Sequence, residues 1–89
     1  MKTITYYHND VENLVRDYAP DEYDKLDDDT KHSLSCQCDF EDFVFYVIDD
    51  ETVVSTDGLN GDVIATDTLE EFIEQAIKYA KEEMSNENP

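Results

Sequence analysis

Phe43-Val44-Phe45-Tyr46-Val47-Ile48, followed by Asp49-Asp50-Glu51-Thr52 and then Val53-Val54-Ser55-Thr56, is the stretch that decides the fold. Phe43 to Ile48 is continuously apolar, short, and made of β-branched and aromatic types, so it reads as a central strand. The polar quartet 49–52 reads as a turn, and Val53 to Thr56 returns as the next strand. Neighbouring strands joined by so short a turn run antiparallel.

Working downstream, Asp57-Gly58 and Asn60-Gly61 are turn dipeptides. Val63 to Thr66 follows as a short last strand. Thr68 with Glu71 three residues later is a capping box. Leu69, Phe72, Ile73, Ala76, Ile77, Ala80 and Met84 then form one apolar stripe at helical spacing. Glu74 and Lys78 make an i,i+4 pair in the favourable order.

Upstream, the alternation of Leu34, Cys36, Cys38 and Phe40 with polar neighbours predicts a half-buried strand from Ser33 to Phe40. Asp21 to Asp29 holds six carboxylates in nine residues, with only Tyr23 and Leu26 apolar, and reads as a short helix or an ordered loop. Val11, Leu14, Val15 and Tyr18 define an amphipathic helix capped by Asn9 or Asp10 and stopped at Ala19 by Pro20. Thr3 to Tyr7 is a short first strand. The order predicts an α+β fold: a single domain over residues 1–84, with an antiparallel sheet of three to five strands and an N-terminal and a C-terminal helix on one face. Residues 85–89 read as a frayed tail.

The charge is the second decisive feature. Twenty-four Asp and Glu against six Lys and Arg give a net charge of −18 over 89 residues. Such a charge repels itself and destabilises the compact state, and it far exceeds the magnitude of about 2–8 that solubility asks of a small domain. Six Tyr and four Phe set the chain apart from disordered acidic tails, which are poor in aromatics. A halophilic surface is also acidic, but here Ala and Gly are scarce while Ile, Tyr and Asn are common.

The charge also excludes partners. It argues against direct binding of nucleic acid or anionic lipid. No apolar run is long enough to span a bilayer, and Met1 to His8 lacks the apolar segment of a signal peptide, so the expected location is the cytoplasm. Repulsion between two such surfaces predicts a monomer unless an apolar patch offsets it.

No catalytic constellation is visible. No Gly-rich loop precedes a helix, no Ser sits in a nucleophile elbow, and His8 and His32 lack neighbours that would suggest a triad. The expectation is a protein that is not an enzyme and needs no cofactor. His32, Cys36 and Cys38 read His-x3-Cys-x-Cys, a spacing that matches no common zinc finger and lacks an evident fourth ligand. Two small thiols on the apolar side of a strand are the simpler reading. Calcium loops starting at Asp21, Asp49 or Asp57 fail at the ligand or glycine positions, so no metal site is expected.

What remains is the clustering of the carboxylates. Asp21, Glu22, Asp24, Asp27, Asp28 and Asp29 form the densest group, and Asp49, Asp50 and Glu51 the next. Both are candidate partner-binding residues, with Tyr23 as an aromatic anchor or, equally, as a packing partner of Leu26. Because the first group is predicted exposed, changing Asp27, Asp28 and Asp29 to Lys is expected to leave the fold intact. Carboxylates about 6 Å apart at i,i+4 on a helix, or about 6.6 Å apart at i,i+2 on a strand, lie on the length scale of a nucleic-acid strand, which shows a charge about every 3.4 Å of axis rise. A basic groove built for DNA or RNA would attract them.

In size, acidity and element order the chain resembles the small DNA-mimic inhibitors of phages and mobile elements, among them anti-CRISPR, anti-restriction and glycosylase-inhibitor proteins. The resemblance covers the whole chain and rests on no motif. It implies an anti-CRISPR protein whose partner is a basic nucleic-acid-binding protein, a CRISPR effector or similar nuclease, since such effectors hold RNA and DNA in basic channels. The alternatives are an immunity protein or antitoxin that neutralises a basic nuclease or toxin, and a generic acidic adaptor or cation-buffering domain.

Overall fold

The computed structural model describes residues 2–35 and 43–86. Strand β1 (Thr3–Tyr7) leads through one 3-10 turn (His8–Asp10) into helix α1 (Val11–Tyr18). Helices α2 (Pro20–Asp24) and α3 (Asp28–Ser35) follow. Then come strands β2 (Phe43–Ile48), β3 (Thr52–Asp57) and β4 (Val63–Thr68), and helix α4 (Leu69–Asn86) closes the chain. The sheet is antiparallel throughout, in the order β1-β2-β3-β4. The α+β fold expected from the sequence is therefore the one observed.

Each boundary has a local cause. Pro20 lacks the N–H that would continue α1, so α1 ends at Tyr18 and Pro20 starts α2 in a first-turn position where no partner for that N–H is needed. The Ala19 N–H donates to the Val15 carbonyl at 2.8 Å and closes α1. In the β3–β4 turn, Asp57 Oδ1 accepts the Leu59 N–H at 2.8 Å, and Gly61 takes a φ of 75° that a side chain would strain. At the start of α4, Thr68 Oγ1 accepts the Glu71 N–H at 3.1 Å, the forward half of the predicted capping box.

Two expectations need correction. Ser33, Leu34 and Ser35 belong to α3 and not to a strand. Asp27 caps this helix, accepting the Thr30 N–H at 2.8 Å. Asp28 and Asp29 favour its positive end, and Thr30 and Leu34, one turn apart, are both buried. A helical period thus competes with the alternation that begins at Leu34, and it wins. Cys36 to Phe40 lie outside the described residues, as does the proposed Cys pair. At the other end, α4 continues to Asn86, two residues into the segment read as a tail.

One hydrophobic core joins all the layers. Tyr6, Phe45, Val47 and Val53 from one face of the sheet meet Val11, Leu14 and Val15 of α1, Leu34 of α3, and Phe72, Ile73, Ala76 and Ala80 of α4. Phe45 and Phe72 rings lie 5.0 Å apart between centroids. Truncating a side chain such as Leu14, which is fully buried, costs about 2–5 kcal/mol.

The face turned away from the helices differs in kind. The register aligns three rows across the four strands: Thr3, Ile48, Thr52, Thr68; then Thr5, Tyr46, Val54, Thr66; then Tyr7, Val44, Thr56, Val63. None of these residues is charged, in a chain of which 34% is Asp, Glu, Lys or Arg. Among the described residues, the strands present no charge on this face of the sheet.

Candidate functional site

The β2–β3 turn carries the first piece of the site. The Glu51 N–H donates to the Ile48 carbonyl at 3.1 Å, and the two residues between, Asp49 and Asp50, have φ of 52° and 57°. Two consecutive positive φ values follow the right-handed twist of a hairpin, as in type I′ turns, where Asn and Gly are the usual occupants. Asp tolerates this region better than most residues. The turn is tied down from two sides. Asp49 Oδ1 accepts the Lys2 N–H at 2.8 Å, and Asp50 Oδ1 accepts the Tyr18 hydroxyl at 3.0 Å. Lys2 Nζ also lies 3.4 Å from Asp50 Oδ2, an exposed pair of small energetic weight.

These ties place the turn beside the α1–α2 junction and the start of α4. Between them lies an open groove of about 420 Å³. Tyr18, Ala19, Leu69 and Ile73 contribute apolar surface, and Glu22, Asp50, Glu51, Glu70 and Glu74 supply carboxylates. Among the described residues, no Lys, Arg or His lines it. Glu70 and Glu74, one helical turn apart, stand about 6 Å from each other on α4. The Leu69 N–H donates to the Glu51 carbonyl at 2.8 Å, which locks the first turn of α4 against the hairpin.

The structure divides the predicted site. Glu22, Asp50 and Glu51 line the groove, and Asp49 sits in the same turn. Asp21 and Asp24 lie on α2 beside Glu22 and are exposed. Asp27, Asp28 and Asp29 are not part of the groove. They form the start of α3, where the Thr30 hydrogen bonds hold the Asp27 carboxyl below its ordinary pKa, with a smaller push from the Lys81 charge on α4. Asp27 is therefore a helix cap, and a change to Lys there removes the acceptor that the Thr30 N–H uses, so Asp27 is not the free surface charge expected from the sequence.

Tyr23 is committed within the chain. Its hydroxyl donates to Glu12 Oε2 at 2.9 Å, its ring packs against the core, and Lys31 Nζ lies 4.8 Å from the ring centroid. Desolvation and the Glu12 bond both raise its pKa. Glu70 and Glu74, which are not among the candidate residues read from the sequence, join the site. Their position opposite Glu22 depends on tertiary structure, for which the chain gives no local signal.

Among the described residues, no group of three His, Cys, Asp or Glu side chains is arranged to hold a metal ion. No helix among them is long and apolar enough to cross a membrane. The groove offers charge and shape but no nucleophile or acid–base pair set apart from its neighbours. Comparison with protein-family models, curated proteins and solved structures finds no match to this chain.

Proposed function

We propose that this chain is an acidic decoy of nucleic acid. It binds the basic DNA- or RNA-binding surface of a host-defence effector in the cytoplasm and blocks it, with a CRISPR effector as the first target to test. One observation supports this reading above the others: the partition of charge. Three rows of uncharged side chains cover one sheet face, while five carboxylates line the groove and, among the described residues, no cation does, Lys2 reaching only Asp50 Oδ2. A merely soluble domain has no need of that division.

The groove suits a cationic side chain. Leu69, Ile73 and Tyr18 offer apolar surface to the stem of an Arg or Lys. The carboxylates at the rim accept the charged head, and Arg in particular matches a carboxylate with two parallel hydrogen bonds. Long-range attraction steers such an encounter and raises its rate. Inhibition then follows from occupancy alone.

The test is capture of effectors on the immobilised chain, with mass spectrometry of what is retained. The reading predicts a nucleic-acid-binding effector that is held at low salt and released as salt approaches about 0.5 M, where the Debye length is only a few Å. Retention of neutral or acidic proteins alone overturns it.

A further inference from the structure

A second cleft, of about 170 Å³, lies between β4 and α4 on the helix side of the sheet. Phe72 of α4 packs on Phe45, but the helix leaves the inner side of β4 open: Ala65, opposite Ser55, is exposed. The strand is bent to shape this space. Ser55 pairs with Ala65 and Thr56 with Val63, so Ile64 is an extra residue in a β-bulge. In a regular strand, neighbouring side chains point to opposite faces. Here Ile64 and Ala65 both line the cleft. The bulge thus turns one large apolar side chain to the inner side as a wall, which Phe43 and Tyr79 continue.

Two polar groups line the same space. Ser55 is only 7% exposed, and among the described residues its hydroxyl has no hydrogen-bond partner. A buried hydroxyl left so costs stability. Asp67, half-buried on the core-facing row opposite Val53, is the second. Among the described residues, no Lys, Arg or His lines the cleft and none pairs with Asp67. Ser55 and Asp67 are diagonal neighbours on one face, about 7–8 Å apart.

We propose that this cleft binds an alkylammonium group. The lining selects that class against the others. Asp67 and the field of a chain of net charge −18 repel an anion. A neutral apolar guest desolvates Asp67 and Ser55 without pairing either. A calcium ion takes about six to eight oxygens, and among the described residues no group of three His, Cys, Asp or Glu is arranged to hold a metal. An alkylammonium satisfies every part of the lining. Its carbons lie along Ile64, Phe43 and Tyr79, and its N–H groups donate to the Asp67 carboxylate and to the Ser55 hydroxyl. At about 30 Å³ for each water-sized group, the cleft holds roughly six of them. That is a chain of about four or five carbons with its nitrogen, the size of a lysine side chain or of a small free amine.

Titration of the full chain with n-butylammonium chloride, read by amide NMR shifts against sodium chloride at equal ionic strength, tests the proposal. The expected result is saturable shifts at Ser55, Ala65 and Asp67 with a Kd on the order of 1–10 mM, as a ligand of about five heavy atoms allows. n-Butanol, of the same size but uncharged, is expected to leave these amides unmoved. Asp67→Asn is expected to weaken binding about tenfold or more. Ala65→Leu fills the cleft and is expected to abolish the shifts with the circular dichroism spectrum unchanged. Equal binding of Nα-acetyl-lysine amide supports the site as one for a lysine side chain, and binding of butylammonium alone supports it as one for a free amine. Shifts confined to the acidic groove around Tyr18 and Leu69, equal shifts with sodium, or undiminished affinity in Asp67→Asn each overturns the proposal. The cleft shares no residue with that groove, so the decoy reading stands or falls separately.

Discussion

The Tyr18 hydroxyl donates to Asp50 Oδ1 at 3.0 Å and joins the end of α1 to the β2–β3 turn across 32 residues of chain. This bond sets one wall of the acidic groove against another. Tyr18→Phe keeps the ring and removes the bond. The expected loss is about 0.5–1 kcal/mol, the ordinary net value of one such interaction. Urea unfolding reads it as a lower midpoint with an unchanged slope. An unchanged midpoint would show that the bond contributes nothing to holding the turn.

Replacing Asp49 and Asp50 together by Asn separates charge from shape. Asn keeps an acceptor oxygen at each position, for Lys2 and for Tyr18, and accepts the positive φ as well as Asp does. The variant is expected to be at least as stable as the parent, because two repelling charges are gone. Its affinity for a basic partner is expected to fall about tenfold to a hundredfold, roughly 1.4–2.8 kcal/mol. Thermal unfolding and a binding titration together check both halves.

Alkaline pH attacks the tyrosines that hold α1 and α2. Desolvation raises the pKa of Tyr6, and the hydrogen bond to Asp17 adds to it. Tyr18 is raised by desolvation and by Asp50. A phenol with a raised folded-state pKa holds its proton more tightly folded than unfolded. Its contribution is complete below the ordinary value of 10.0 and is lost as pH climbs above it. Stability is therefore expected to be insensitive to these groups below about pH 10 and to decline above it. Tyrosinate absorbance, followed beside circular dichroism, checks that ionisation and unfolding coincide for Tyr6→Phe less than for the parent.

Asp27 is expected to behave as a cap. Asp27→Ala should lower the thermal midpoint by about 4–8 °C, the shift typical of a lost N-cap in a chain of this size. Asp27→Asn, which preserves the acceptor, should restore most of it. Equal losses in the two variants would mean that charge, and not the hydrogen bond to Thr30, is what α3 requires.

The sequence is legible where one period dominates. Phe43 to Ile48 and the stripe from Leu69 to Ala80 each carry a single unbroken pattern, and the structure follows both. It is illegible where two patterns overlap. The helical pair Thr30 and Leu34 was hidden by the alternation that starts at Leu34. The acidic segment looked like one block because charge in sequence says nothing of direction. Folding sends Glu22 to the groove and turns Asp27 into a cap. The uncharged sheet face emerges only once the register is known, since its residues come from four separate strands.

The decoy reading meets its most direct test in competition for one effector. A labelled nucleic acid is bound to the captured protein, and the chain is titrated in. The account predicts displacement, with an apparent affinity for nucleic acid that falls in proportion to the added chain. It also predicts that a variant with Glu22, Glu51, Glu70 and Glu74 changed to Gln and Asp50 to Asn displaces little. Nucleic acid that stays bound while the chain occupies the same effector would contradict it.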